Sequence, residues 1–132
     1  MPQFNLSAEQ QKMLEEADAA IAEFSANYVP FLKKELTRLN THIKADFYED
    51  ALQIIHTIQG QAGSFGWPLI TEGAGHLYAL LKRGKMSYAV AEPATAITAL
   101  LGEMLDQNLQ GETPKGKAIV SEIAKLAKTE LK

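Results

Sequence analysis

Apolar residues recur every three to four positions along almost the whole chain, which is the period of an amphipathic helix and not of a strand. No apolar–polar alternation is long enough to argue for a strand, so the pattern predicts an all-α fold. Punctuation divides the chain into six helices. Ser7 and Gln10 have the spacing of a capping box and open a helix over 7–26, with Leu14, Ala17, Ile21 and Phe24 as its apolar stripe. A second helix, over 28–44, carries Pro30 in its first turn, where a missing amide proton is tolerated, and buries Leu32, Leu36, Leu39 and Ile43. Asp46 and Glu49 make a D-x-x-E cap for a third helix over 46–64. Gly66 stops it, and Pro68 stands at the first position of a fourth. That fourth helix, over 68–83, buries Ile70, Ala74, Leu77 and Leu81 and ends at Gly84. A fifth spans 88–109, with Pro93 near its start and Gly111 just past its end. Thr113 and Pro114 open a sixth, over 114–131, with Ile119, Ile123 and Leu126 inward.

Connections of two to six residues make sequential helices antiparallel neighbours. The expected architecture is an antiparallel up-down four-helix bundle over about 28–109, with additional N-terminal and C-terminal helices. No repeat or linker divides residues 1–132, which therefore read as a single domain. Residues 1–27 carry Lys12 against five acids, whereas residues 115–132 carry five lysines against Glu122 and Glu130. The terminal helices either lie side by side for that reason or present two separately solvated faces.

Composition narrows the function classes. At 132 residues, 46% hydrophobic and 22% charged, the chain can bury one core. Its net charge of −3 argues against a nucleic-acid module, which would carry a basic face. No apolar run reaches the ~18–20 residues of a membrane span, and the N-terminus lacks the charged and apolar regions of a signal peptide. With no Cys there is no disulfide framework, thiolate zinc site or cysteine nucleophile. A cytoplasmic protein is expected. The initial Met and uninterrupted helical pattern favour a free-standing protein over an excised domain.

The third helix carries the informative residues. At about 100° per residue, Phe47, Ala51, Ile54, Ile55, Ile58, Ala62 and Phe65 fall on one stripe, the core face. His56 lies on the opposite side and should face solvent, among Glu49, Leu52, Gln53, Gln59, Gly60 and Gly63. Two glycines inside a helix each cost up to about 1 kcal/mol relative to Ala. Gly60 and Gly63 follow His56 at i+4 and i+7, on its own side. They suit either close helix packing or a surface cleared so that a partner can reach the imidazole. Leu52 adds an apolar group one turn before the histidine.

Residues 56–66 read His-Thr-Ile-Gln-Gly-Gln-Ala-Gly-Ser-Phe-Gly. This resembles the signature H-x-L-K-G-x-[SA]-x-x-[apolar]-G of the histidine-containing phosphotransfer (HPt) domain family of two-component phosphorelays. The likeness extends upstream through Phe31, Leu32, Leu36, Leu39 and Ile43, and downstream through Leu69, Ala74, Leu77 and Lys82-Arg83-Gly84. It covers about residues 29–84. The resemblance implies that His56 is the phosphorylated residue and that Gly60 keeps the surface beside it open. Ala62 and Phe65 would pack the helix, which Gly66 ends. Leu52, Gln53, Gln59, Gly60 and Gly63 would form the docking and phosphoryl-binding surface for a receiver domain of a response regulator or hybrid kinase. The chain departs from the family at Gln59, where a lysine is usual: an amide donates a hydrogen bond but supplies no positive charge. Gln61 replaces a residue that is often small. Tyr78 stands where the family often has an acid and, across a hairpin turning near Trp67, could lie level with His56.

A neutral imidazole offers a nucleophilic nitrogen at cytoplasmic pH. Phosphoryl transfer needs positioning and charge neutralisation more than covalent help. The chain has no Gly-rich phosphate loop, acidic metal cluster or nucleophile–base pair at recognisable spacing. It is expected to work as a phosphocarrier and not as an enzyme, with no cofactor of its own. The resemblance implies that the receiver brings both the phosphorylated Asp and the Mg²⁺. No metal, nucleic-acid or membrane partner is expected for this chain, and a lone bundle of this kind has no need to dimerise. His42 and His76 lack metal-ligand spacing and read as structural or solvated. Trp67 reads as a cap on the bundle end, and Met13, Met86 and Met104 as core filler. Lys33, Lys34 and Arg38 read as a solvated face. They, with Lys82 and Arg83, are the cations available to compensate for Gln59. Two other functions compete: a degenerate module that binds receivers without carrying phosphate, and a helical adaptor that docks partners through its terminal helices.

Overall fold

The computed structural model describes residues 7–84 and 88–129, and of residues 21, 22, 24–26 and 88 the backbone alone. Among the described residues every regular element is helical: α1 (Ala8–Lys44), α2 (Tyr48–Gln61), a 3-10 turn (Ala62–Phe65), α3 (Pro68–Arg83), a second 3-10 turn (Tyr88–Val90), α4 (Ala91–Asp106) and α5 (Pro114–Ala127). The second half of α1 packs on α2 and α4, and α3 closes the ring between them, giving the four-helix bundle. α5 lies against α3 and α4. Its Val120 and Ile123 are buried there, while Ile119 and Leu126 are half-buried. The core runs through Leu32, Leu39, Ile43, Ile55, Ile58, Ile70, Leu77, Leu81, Ile97 and Leu101, each almost fully removed from water. No described helix is long and apolar enough to cross a membrane.

The first two expected helices are one. α1 runs unbroken through residue 27 with Pro30 inside it. No glycine separates the two stretches, and a proline in a helix removes one backbone donor. Tyr28 and Leu32, on either side of Pro30, are both buried, so packing holds the helix through it. Ser7 caps α1 as its spacing predicts: its Oγ accepts from the Gln10 N–H at 3.1 Å, and the Gln10 side chain accepts from the Ser7 N–H at 3.0 Å. The expected stripe of the first half is not a core face. Leu14 is exposed, as are Ala17 and Met13, because no described element covers that half. Met13 is therefore not core filler, unlike the buried Met104. The side chains of Ile21 and Phe24, and all of Met86, lie outside the described residues.

α2 starts later than its acidic cap predicts. Asp46 takes a left-handed conformation, φ +64°, and its carboxylate accepts from the Tyr48 hydroxyl. Phe47 then stands at the helix N-cap with no side-chain capping bond. Displaced from the helix, Phe47 leaves the core stripe, is 59% exposed and lies beside His42. The far end is as punctuated: Gly66, at φ +88°, takes a conformation that a β-carbon disfavours. Its N–H and that of Trp67 bond back to Gly63 and Ala62, and Pro68 then begins α3. The last turn before Gly66 tightens into the 3-10 form, so Gly63 sits in that turn and not in the α-helix.

Thr113 caps α5 by accepting from the Gly116 N–H at 3.0 Å. The charge-asymmetric terminal helices do not form a packed pair of bundle elements. α5 takes the α3–α4 groove, while residues 8–20 of α1 are exposed throughout.

Candidate functional site

Ala51, Ile54, Ile55 and Ile58 are buried, which fixes the rotation of α2 about its axis. Position 56 then has to point outward, and His56 is exposed. The turn at Gly66–Trp67 lays α3 antiparallel against α2. Gly63 meets Thr71, Gln59 meets Gly75, and His56 meets Tyr78. Each step back along α2 is a step forward along α3. The outer seam of this hairpin carries the site.

The rings of His56 and Tyr78 lie 5.4 Å apart, tilted by 42°. One turn further along α3, Lys82 places its ammonium 5.6 Å from the centre of the Tyr78 ring, a cation–π distance. Imidazole, phenol and ammonium thus form one row on the surface. Gln59 is half-buried and leans the other way: a β-carbon at Gly75 would stand 3.1 Å from its amide nitrogen. The amide of Gln59 therefore lies over the bare backbone of α3. Gly63 donates its N–H to the Thr71 hydroxyl at 2.8 Å, tying the end of α2 to α3. At Gly60 a β-carbon would meet nothing within 4 Å, so the space in front of it is open.

The expected surface residues are consequently divided between two flanks. Leu52, half-buried, with Gln59 and Gly63, lies on the side of α3. Gln53 is exposed on the other side, in the groove between α1 and α2 with Glu35, Arg38, His42, Asp50 and Thr57. Gly60 lies open and exposed beside the histidine.

Three other cations are engaged elsewhere. Lys33 pairs with Asp106 at 3.1 Å, and Arg38 with Glu35 at 2.7 Å. Arg83 donates to the carbonyls of Ala127 and Thr129, at 2.8 and 3.0 Å, and so caps the C-terminal end of α5. Lys34 is exposed on α1. His42 lies on a helix–helix groove, its Nδ1 2.7 Å from the Arg38 carbonyl, which makes that nitrogen the donor. His76 lines a groove between α3 and α5 with Glu72, Glu112 and Lys117. Trp67 is buried at the bundle end. Among the described residues no three of His, Asp and Glu gather in a way that could hold a metal ion.

Gly75 and Thr71 were not among the residues that motif spacing singles out, though both complete the seam. Their signal is the α3 series Thr71, Gly75, Tyr78 and Lys82, at i, i+4, i+7 and i+11, which is one helical stripe. Chemically, the seam presents one exposed nucleophilic imidazole, an aromatic wall, one ammonium and an unobstructed approach over Gly60. No protein-family model, curated protein or solved structure matches this chain.

Proposed function

We propose that this chain is a phosphocarrier in a His–Asp phosphorelay. His56 takes a phosphoryl group from a receiver-domain aspartate and gives it to another. The observation that carries the proposal is the exposed His56 beside the open space at Gly60, on a helix whose inner face is locked into a four-helix bundle. A nucleophile of this kind must be rigidly placed and reachable in line with the breaking bond. The ring nitrogen without a proton attacks phosphorus, the acyl-phosphate P–O bond breaks, and the electron pair leaves with the aspartate carboxylate. Return of the phosphoryl group to a second aspartate reverses the same bonds. The Mg²⁺ that neutralises charge in such an exchange belongs to the receiver. The receiver of a response regulator or hybrid kinase docks over Gly60, with Leu52, Gln59 and Gly63 on the α3 flank of that surface and Gln53 on its α1 flank.

The test is transfer from a labelled phospho-receiver to the wild-type chain and to His56→Gln. Acid-labile, alkali-stable label on wild type and none on the variant is the expected outcome. A binding-only module is the second reading, favoured by Gln59, which brings no charge to the ring and lies over Gly75. It expects receiver binding that survives His56→Gln and no label on either protein. If no receiver binds, the exposed first half of α1 becomes the place to look for partners, as an adaptor would require.

A further inference from the structure

The position three residues after His56 holds no cation, and its amide lies over α3. The row His56–Tyr78–Lys82 supplies one from the opposite helix. We infer that Lys82 is the residue that neutralises the phosphoryl group on His56, with Tyr78 as the positioning residue that keeps its ammonium on the histidine's side of the hairpin. The inference rests on His56 being the phosphoryl carrier.

Three observations converge on Lys82. Its ammonium stands over the same ring that faces His56, at 5.6 Å from the ring centre, with that centre 5.4 Å from the imidazole. Arg83, Lys33 and Arg38 have other partners, whereas Lys82 is the described cation seen against the ring that faces His56. The side chain is exposed, so its flexible stem can swing from the phenol face towards an anion that appears on the imidazole. A dianionic phosphoryl group attracts an ammonium more strongly than a ring quadrupole does, so phosphorylation moves Lys82 by one contact along the row. In the resting protein the tyrosine holds the cation close without neutralising it. An acid at position 78 would pair with Lys82 outright and compete with the phosphoryl group for it.

Phosphoramidate tests this without a partner protein. The free ring nitrogen of His56 attacks its phosphorus, the donor's P–N bond breaks, and the electron pair leaves with ammonia. The rate of phospho-His56 formation is followed by mass spectrometry in wild type, Lys82→Gln, Lys82→Arg and Tyr78→Ala. An exposed ion pair of this kind gives Lys82→Gln a rate about three- to fivefold slower at low salt. Lys82→Arg restores the rate, and Tyr78→Ala falls between. The deficit shrinks at 0.5 M NaCl, because a surface charge effect is screened and a packing defect is not. A Lys82→Gln rate equal to wild type at low salt overturns the inference, as does a deficit that salt leaves unchanged or arginine fails to rescue. If receivers transfer no label but the charge effect stands, only the relay function falls. If phosphoramidate never labels His56 in wild type, the inference falls, and the relay function is decided by the receiver assay alone.

Discussion

On the inner face of α2, Ile55 and Ile58 are almost fully removed from water and determine where the helix sits. On its outer face, His56, Gln53 and Gly60 are exposed and position nothing. One helix thus separates two tasks that usually conflict. Residues that carry the stability are hidden from any partner, and residues a partner would meet can change with little effect on folding. The difference predicts opposite mutational behaviour one residue apart along the chain. Ile55→Ala opens a cavity in a closed core, and large-to-small changes of this kind cost about 2–5 kcal/mol. Chemical denaturation should show that loss in full. His56→Gln, next to it, should shift the same curve by less than about 0.5 kcal/mol while removing phosphoryl transfer. A large stability loss in the histidine variant would break the division, since it would mean the imidazole helps hold the hairpin through Tyr78.

The two glycines nearest the site sharpen the same contrast on a smaller scale. Gly60 opens onto empty space, whereas Gly75 lies under the amide of Gln59. Exchanging a helical glycine for alanine recovers up to about 1 kcal/mol. Gly60→Ala should therefore stabilise the fold by a few tenths of a kcal/mol to about 1 kcal/mol. It should slow transfer from a receiver and leave phosphorylation by the small donor phosphoramidate unchanged, because only a macromolecule needs the space. At Gly75 the added carbon presses on the end of a flexible side chain, so Gln59 swings away and the stability gain is smaller. Equal effects of Gly60→Ala on both donors would show that the glycine shapes the imidazole environment and not the approach of a partner.

Helical phase made much of this legible. Four apolar residues, Ala51, Ile54, Ile55 and Ile58, fix which way position 56 points, and the α2 stop at Gly66 with Pro68 after it fixes the register of α3. With the turn in place, His56 opposite Tyr78 follows from counting. The ends of elements were less legible, because they depend on competition between backbone conformations. Asp46 offers a cap, yet it bonds the Tyr48 hydroxyl from a left-handed turn. The expected break between 26 and 28 puts Pro30 in a first helical turn, yet the buried Tyr28 and Leu32 on either side of it hold one continuous helix. The α1 stripe at Leu14 and Ala17 has a helix's period, and periodicity alone does not say whether a neighbour exists to cover it. The stripe of α3 marks the face of Gly75, but what covers that glycine is set by the Gln59 side chain of another helix.

The division between a dry inner core and a polar outer face has an exception at the far end of the bundle. Tyr28 is 2% exposed and stacks on Phe65 at 4.4 Å, and its hydroxyl has no hydrogen-bond partner among the described residues. Thr98, the buried polar residue of α4, differs in donating to the Ala94 carbonyl. An unpaired buried hydroxyl costs free energy that a phenyl ring of the same shape does not. Tyr28→Phe should thus be neutral or stabilise the fold by up to about 1 kcal/mol at neutral pH. Burial also pushes the phenol up to about 12 from its ordinary 10.0. Between those values the unfolded chain loses the proton and the folded one keeps it, so the folded state binds more protons and stability falls as pH rises. The decline starts near pH 10, deepens until the folded phenol itself ionises near pH 12, and adds nothing further beyond that. Tyr28→Phe removes this share of the alkaline loss, so the gap between the two proteins' denaturation midpoints should widen from pH 9 to pH 11. A gap that stays constant over that range would mean the hydroxyl reaches water. The inner face would then be less dry at this end than the packing of Tyr28 on Phe65 implies.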